Sequence, residues 1–210
     1  MDLRDEFGNI DFEALIADNG MLDNMFYLRD LKDRKLYFNE EITQYAVAEA
    51  VRHILFWNKE DYGRSPDERK PIRVFLVSNG GEVDSGFELI DVIRLSKTPV
   101  YTINLGYQYS MGFLIGLAGH KRYALPNAKF LLHDGTLLLY DSGSKARDRM
   151  RFQDAIEDRI RDFIIEKTAI TAEVYDDHLA KEWYMFADEA KKNGCVDYII
   201  GEDCQLEDIL

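Results

Sequence analysis

Residues 72–77 read IRVFLV, a mostly apolar run fenced by Pro71 before it and by the turn residues SNGG after it. A short, β-branched run without polar alternation is the mark of a strand covered on both faces, the environment of a parallel sheet. The chain repeats the arrangement. VDSGFELIDVIRLS (83–96) places Phe87, Ile90 and Ile93 at helical spacing. The strand VYTINL (100–105), the helix SMGFLIGLAG (110–119) and the strand AKFLL (128–132) follow. Strand–helix alternation at this spacing calls for right-handed crossovers and predicts an α/β fold with a mostly parallel sheet.

The flanks extend the pattern. KLYF (35–38) is a short strand, and EITQYAVAEAVRHILFW (41–57) an amphipathic helix with Ile42, Tyr45, Ala46, Ala50, Ile54 and Leu55 as its apolar positions. NKEDYGRSPDERKP (58–71) reads as a surface loop, and residues 1–24, acidic with scattered apolars, as a loosely held N-terminal segment. Downstream, residues 144–168 form a long charged helix striped by Phe152, Ile156, Ile160, Phe163 and Ile164. Thr171 is placed to cap a helix through about Lys181, and Gly194 to stop one before a last strand. At 210 residues the whole is expected to be a single domain. A chain of this length buries about 70% of its unfolded surface and folds without disulfide or metal.

Composition excludes several classes of function. A net charge of −13 argues against a nucleic-acid partner, which needs a basic face. The longest apolar stretch, MGFLIGLAG (111–119), is far short of a membrane span, and the acidic start is unlike a signal peptide. The two cysteines, Cys195 and Cys204, stand nine apart without a Cys/His cluster, so no zinc site is expected and both read as reduced thiols of a cytoplasmic chain.

In a parallel sheet, ligands meet the carboxyl ends of strands. Three stretches fall there. SNGGEV (78–83) offers paired glycines that can bare backbone N–H groups to an oxyanion. YSMG (109–112) sets Ser110 at a helix start, as a plain N-cap or as a nucleophile. FLLHDG (130–135) ends a strand on His133, whereas His53, His120 and His178 follow no such end. Together they supply a nucleophile, a base and an oxyanion stabiliser for acyl transfer, although spacing alone does not make them converge.

From LKDRKLYFNEEIT (31–43) to NGCVDYI (193–199) the chain resembles the proteolytic subunit of the Clp protease. The Gly-Gly turn is matched by Gly80 and Gly81, the Ser-Met-Gly step by Ser110, Met111 and Gly112, and a Leu-Pro-Asn stretch closing on histidine by LPNAKFLLH and His133. The resemblance implies a spiral of βαβ units, shared with the crotonases, with a long protruding handle helix in region 136–170. It also implies a serine endopeptidase needing no cofactor. Ser110 would be the nucleophile, His133 the base, and the N–H groups of Gly81 and Met111 the oxyanion hole. Polypeptide substrates would be fed by an ATP-dependent AAA+ unfoldase of the Clp type into a chamber of two stacked heptameric rings. No phosphate-binding GxxxxGK[ST] is present, so ATP use would belong to that partner.

The sequence departs from the family in places. Where the family has its triad aspartate, AKEWYMFADEA (180–190) has Glu182, one methylene longer; Asp177 is the alternative third member. Asn79 replaces a proline before the two glycines, the Ser110–His133 segment is slightly short, and residues 62–70 look inserted. GTLLLYDSG (135–143) is the expected ring–ring strand. Two competing functions follow: a structural ring subunit with a weakened triad, and, further off, a crotonase-type acyl-CoA enzyme.

Overall fold

The structure, a computed structural model, describes residues 19–135 and 142–210. The first eighteen residues of the expected N-terminal segment, and the centre of the expected ring–ring strand, lie outside them. Helix α1 (Asn19–Lys32) leads into strand β1 (Lys35–Phe38), helix α2 (Gln44–Glu60), strand β2 (Ile72–Ser78), helix α3 (Val83–Leu95) and strand β3 (Val100–Tyr109). Helix α4 (Met111–Leu117), strands β4 (Lys121–Ala124) and β5 (Lys129–Leu132), and the long helix α5 (Gly143–Lys167) follow. Helix α6 (Ala172–His178), strand β6 (Trp183–Phe186), helix α7 (Ala187–Lys192) and strand β7 (Tyr198–Ile199) complete the order.

The sheet runs β1-β2-β3-β4-β7, with β5 pairing the far end of β3 and β6 pairing β5. Every pairing is parallel except β5 with β6. This is the expected α/β architecture, with three differences. β3 continues to Tyr109 instead of ending at 105, and β4 and β6 are strands that residues 121–124 and 183–186 do not advertise. β3 reaches that far by changing partner. Its first half pairs β4 and its last three residues pair β5, and between them the register against β2 shifts. Buried Asn104 holds the irregularity: its Nδ2 donates to the Lys129 carbonyl at 3.0 Å, and its Oδ1 accepts from Gly106 N–H at 2.9 Å.

One face of the sheet carries the main core, where Leu36, Val74, Leu76, Val100 and Phe130 meet α2, α3, α4 and the end of α5. The other face is covered more thinly than a fully sandwiched sheet, by Phe75, Ile103, Tyr123, Ile200 and Ile209. The apolar face of α2 is Ala46, Val47, Ala50, Val51, Ile54 and Trp57; Tyr45 and Leu55, expected inside, are exposed. Thr43 caps the helix through Ala46 N–H, so Ile42 precedes it and bridges Gly81 instead. Helix α5 is anchored only by its C-terminal half. Phe163 and Ile164 are buried there, Arg161 forks onto Asp176, and Arg94 pairs with Glu166. Upstream, Phe152 is 69% exposed, so this half of the handle stands away from the body.

The stretch 58–71 is not all surface loop. Asp61 is fully buried, and three side chains converge on it. Arg34 donates to it twice, at 2.5 and 3.0 Å, Thr98 Oγ1 at 2.9 Å and Arg64 at 3.1 Å. The Arg34 guanidinium holds the Asp61 carboxyl below the usual carboxylate range. A depressed carboxylate stabilises the fold above its unfolded pKa, near 4, and that stability is lost as pH falls through the folded value. Removing one partner of a buried pair strands the other. Asp61→Asn is therefore expected to lower stability by about 3 kcal/mol, roughly 10 °C in thermal midpoint at neutral pH. Circular dichroism melts should show the gap to wild type closing below about pH 4.

Candidate active site

The turn between β3 and α4 is strained at one residue. Ser110 has φ 54° and ψ −124°, a backbone conformation that non-glycine residues rarely adopt, at a cost of about 1–3 kcal/mol. The surroundings over-determine it. Its N–H donates to the Leu131 carbonyl at 3.0 Å, and its own carbonyl accepts from Phe113 N–H at 2.9 Å and Leu114 N–H at 3.3 Å. An ordinary N-cap has extended backbone and a side chain bonded to the first turn. Ser110 has neither: it starts the helix by position, but its hydroxyl makes no capping bond. A strained strand–turn–helix step that bares a serine hydroxyl is how hydrolases present a nucleophile.

The double-glycine turn lies against this step. A Cβ on Gly80 would sit 2.7 Å from Ser110 Cβ, 2.9 Å from the Tyr109 carbonyl and 3.1 Å from Met111 N. A Cβ on Gly81 would strike the Ile42 carbonyl at 2.3 Å. Both glycines have positive φ, 99° and 150°. The turn is braced from behind: Ile42 N–H donates to Gly80 O and Glu82 N–H to Ile42 O, each at 2.8 Å. Ser78 Oγ donates to the Glu40 carbonyl and accepts from Gly80 N–H. The N–H groups of Gly81 and Met111 have no acceptor among the described residues. They are the donors expected for an oxyanion hole. The braces Ile42 and Ser78 were not singled out from sequence, and nothing in NEEI signals that it packs behind a turn forty residues away.

His133 and Ser110 line one small cavity of about 50 Å³, with Met111, Leu114, Leu132 and Ile160. Among the described residues no hydrogen bond joins Ser110 to His133. Catalytic hydrogen bonds are often open in unliganded sites and tighten with substrate. On its other side His133 meets Tyr175, His178 and Leu179 of the α6 region.

The two candidates for the third member differ in placement. β6 pairs β5 antiparallel with Leu131 opposite Tyr184 and Leu132 opposite Trp183, and His133 and Glu182 are the residues next beyond that last pair. The Glu182 carboxylate is exposed and accepts from Tyr184 Oη at 3.0 Å. Asp177 lies on α6, whose Tyr175 and His178 face His133. Asp177 is exposed, about 200° around the helix from Tyr175 and about 100° from His178.

Other nucleophiles and cavities offer less. Burial pushes the Cys195 thiol up to about 12 and also raises Cys204, so neither is a ready thiolate. A larger groove of about 400 Å³ between α3 and α5 is lined by Phe87, Arg94, Phe152, Arg159 and Glu166, among others, and holds no nucleophile–base pair. Among the described residues there is no cluster able to hold a metal, and no helix long and apolar enough to cross a membrane.

The sequence model of the family described as Clp protease matches residues 19–203. The chain belongs to the Clp protease family. Among curated relatives, the ATP-dependent Clp protease proteolytic subunit 1 of Chlamydia muridarum is 30% identical over 190 residues, covering 84% of this chain and 94% of the relative. The proteolytic subunit 2 of Treponema pallidum is 27% identical over 186 residues, covering 88% and 90%. Membership makes this protein a serine peptidase of the hydrolase class.

The contact at Gly80 generates a test. Gly80→Ala must displace Ser110, and a shift near 1 Å costs about 10²-fold in rate. Reaction of Ser110 with a fluorophosphonate should slow by about that factor. Gly106→Ala, whose Cβ would meet nothing closer than 3.8 Å, should react at the wild-type rate.

Proposed function

We propose that this Clp protease family member is a self-compartmentalised serine endopeptidase that cleaves unfolded polypeptides. The observation that carries the proposal is the hydroxyl of Ser110, which makes no hydrogen bond among the described residues, on a strained turn pressed against the double-glycine bend and sharing a cavity with His133. Ser110 Oγ attacks the scissile carbonyl as His133 takes its proton, and the tetrahedral oxyanion accepts hydrogen bonds from Gly81 and Met111 N–H. His133 then returns the proton to the departing amine, leaving an acyl-enzyme that water hydrolyses by the reverse path. Glu182 holds the imidazole with Nδ1–H toward the acid and Nε2 toward the serine, and stabilises the imidazolium that forms.

The names of the relatives, ATP-dependent Clp protease proteolytic subunits, support an unfoldase partner that threads substrate. Assembly into two stacked heptameric rings is supported by the apolar side chains that α5 leaves in solvent, Met150 and Phe152. One observation favours the competing reading, a ring subunit with a weakened triad: among the described residues no hydrogen bond joins Ser110 to His133, although both line one cavity.

Peptide hydrolysis by assembled particles, their mass measured in parallel, separates the readings. Ser110→Ala and His133→Ala should each lower kcat by about 10⁴-fold or more, and Glu182→Ala by about 10²- to 10⁴-fold. Wild-type particles that assemble while Ser110 resists a fluorophosphonate would establish the structural role instead.

A further inference from the structure

We infer that Tyr184 is a positioning residue for the acid of the triad, its hydroxyl fixing the Glu182 carboxylate where His133 can use it; the inference rests on Glu182 holding that role. Tyr184 Oη donates to Glu182 Oε2 at 3.0 Å. Glu182 stands just before β6 and Tyr184 within it, two residues apart, and Tyr184 pairs with Leu131, two residues before His133.

Glutamate needs this help more than aspartate does. It carries one more side-chain torsion, and Glu182 stands exposed at a strand end, where an untethered carboxylate samples solvent. A hydroxyl that takes one oxygen removes that freedom. The other oxygen, Oε1, has no donor among the described residues and remains to accept from His133 Nδ1–H.

The phenol is itself anchored. Its ring packs edge-on against Tyr109, with centroids 5.8 Å apart at 89°, and Tyr109 leans on Tyr107 at 5.1 Å. Tyr109 is the residue before Ser110 and pairs with Leu131, which pairs with Tyr184. One row across β3, β5 and β6 thus links the strand that carries the nucleophile to the acid. The bond to Glu182 raises the phenol pKa, so Tyr184 keeps its proton as a donor through neutral pH.

The test is a double-mutant cycle on assembled particles, read as kcat and KM for peptide hydrolysis and as the rate of Ser110 phosphonylation. Tyr184→Phe keeps the ring and its contact with Tyr109 and removes only the hydroxyl. It should lower kcat by about tenfold, the rate equivalent of one hydrogen bond to a charged group, with KM unchanged. In a Glu182→Ala background the same change should have no further effect, because no carboxylate is left to hold. Full activity of Tyr184→Phe beside an impaired Glu182→Ala overturns the inference, and so does an equal loss in both backgrounds. Wild-type rates from Glu182→Ala would instead sink the triad assignment, and this inference with it.

Discussion

The site depends on the approach of Gly80 to Ser110. Only a hydrogen fits where a Cβ would come within 2.7 Å of the serine's own Cβ, and that closeness places bare amides beside a hydroxyl. Nothing local enforces it. Ser110 is held in a costly conformation by Leu131 of β5, and the glycine turn by Ile42 and Ser78. The site is therefore a property of the whole sheet, in which β1's following loop, β2, β3 and β5 must all be in register before Ser110 is presented.

The change of partner along β3 makes that convergence workable. Were β3 to stay paired with β4, its end would have no neighbour at the level where β5 delivers His133. Asn104 resolves this by spending a buried amide on the bend, bonding Lys129 on one side and Gly106 on the other. The bend lets the serine strand and the histidine strand pair directly through their last residues, and β6 then pairs β5 from the antiparallel side.

The order of elements from β1 to β5, β4 excepted, and the serine, histidine and glycine stretches, were legible in the sequence because each is a short-range pattern: an apolar run, a helical stripe, a turn dipeptide. What was not legible was long-range. KRYA and WYMF are strands only because neighbours pair with them; the first carries two cationic residues, and the second exposes Tyr184 and Phe186. Asp61 reads as a loop charge in KEDYG, and only the fold reveals that Arg34, twenty-seven residues earlier, makes it a buried anchor. Where Glu182 and Asp177 stand in space was not legible either, because it waits on locating β6 and α6.

The most direct measurement of the account is a crystal structure of the assembled protein treated with a peptide boronate. The account predicts boron bonded to Ser110 Oγ, one boronate oxygen within hydrogen-bonding distance of both Gly81 N and Met111 N, and His133 Nε2 within reach of the same adduct. An intact Ser110 with the boronate bound elsewhere, or an adduct whose oxygen points away from the double-glycine turn, would contradict it.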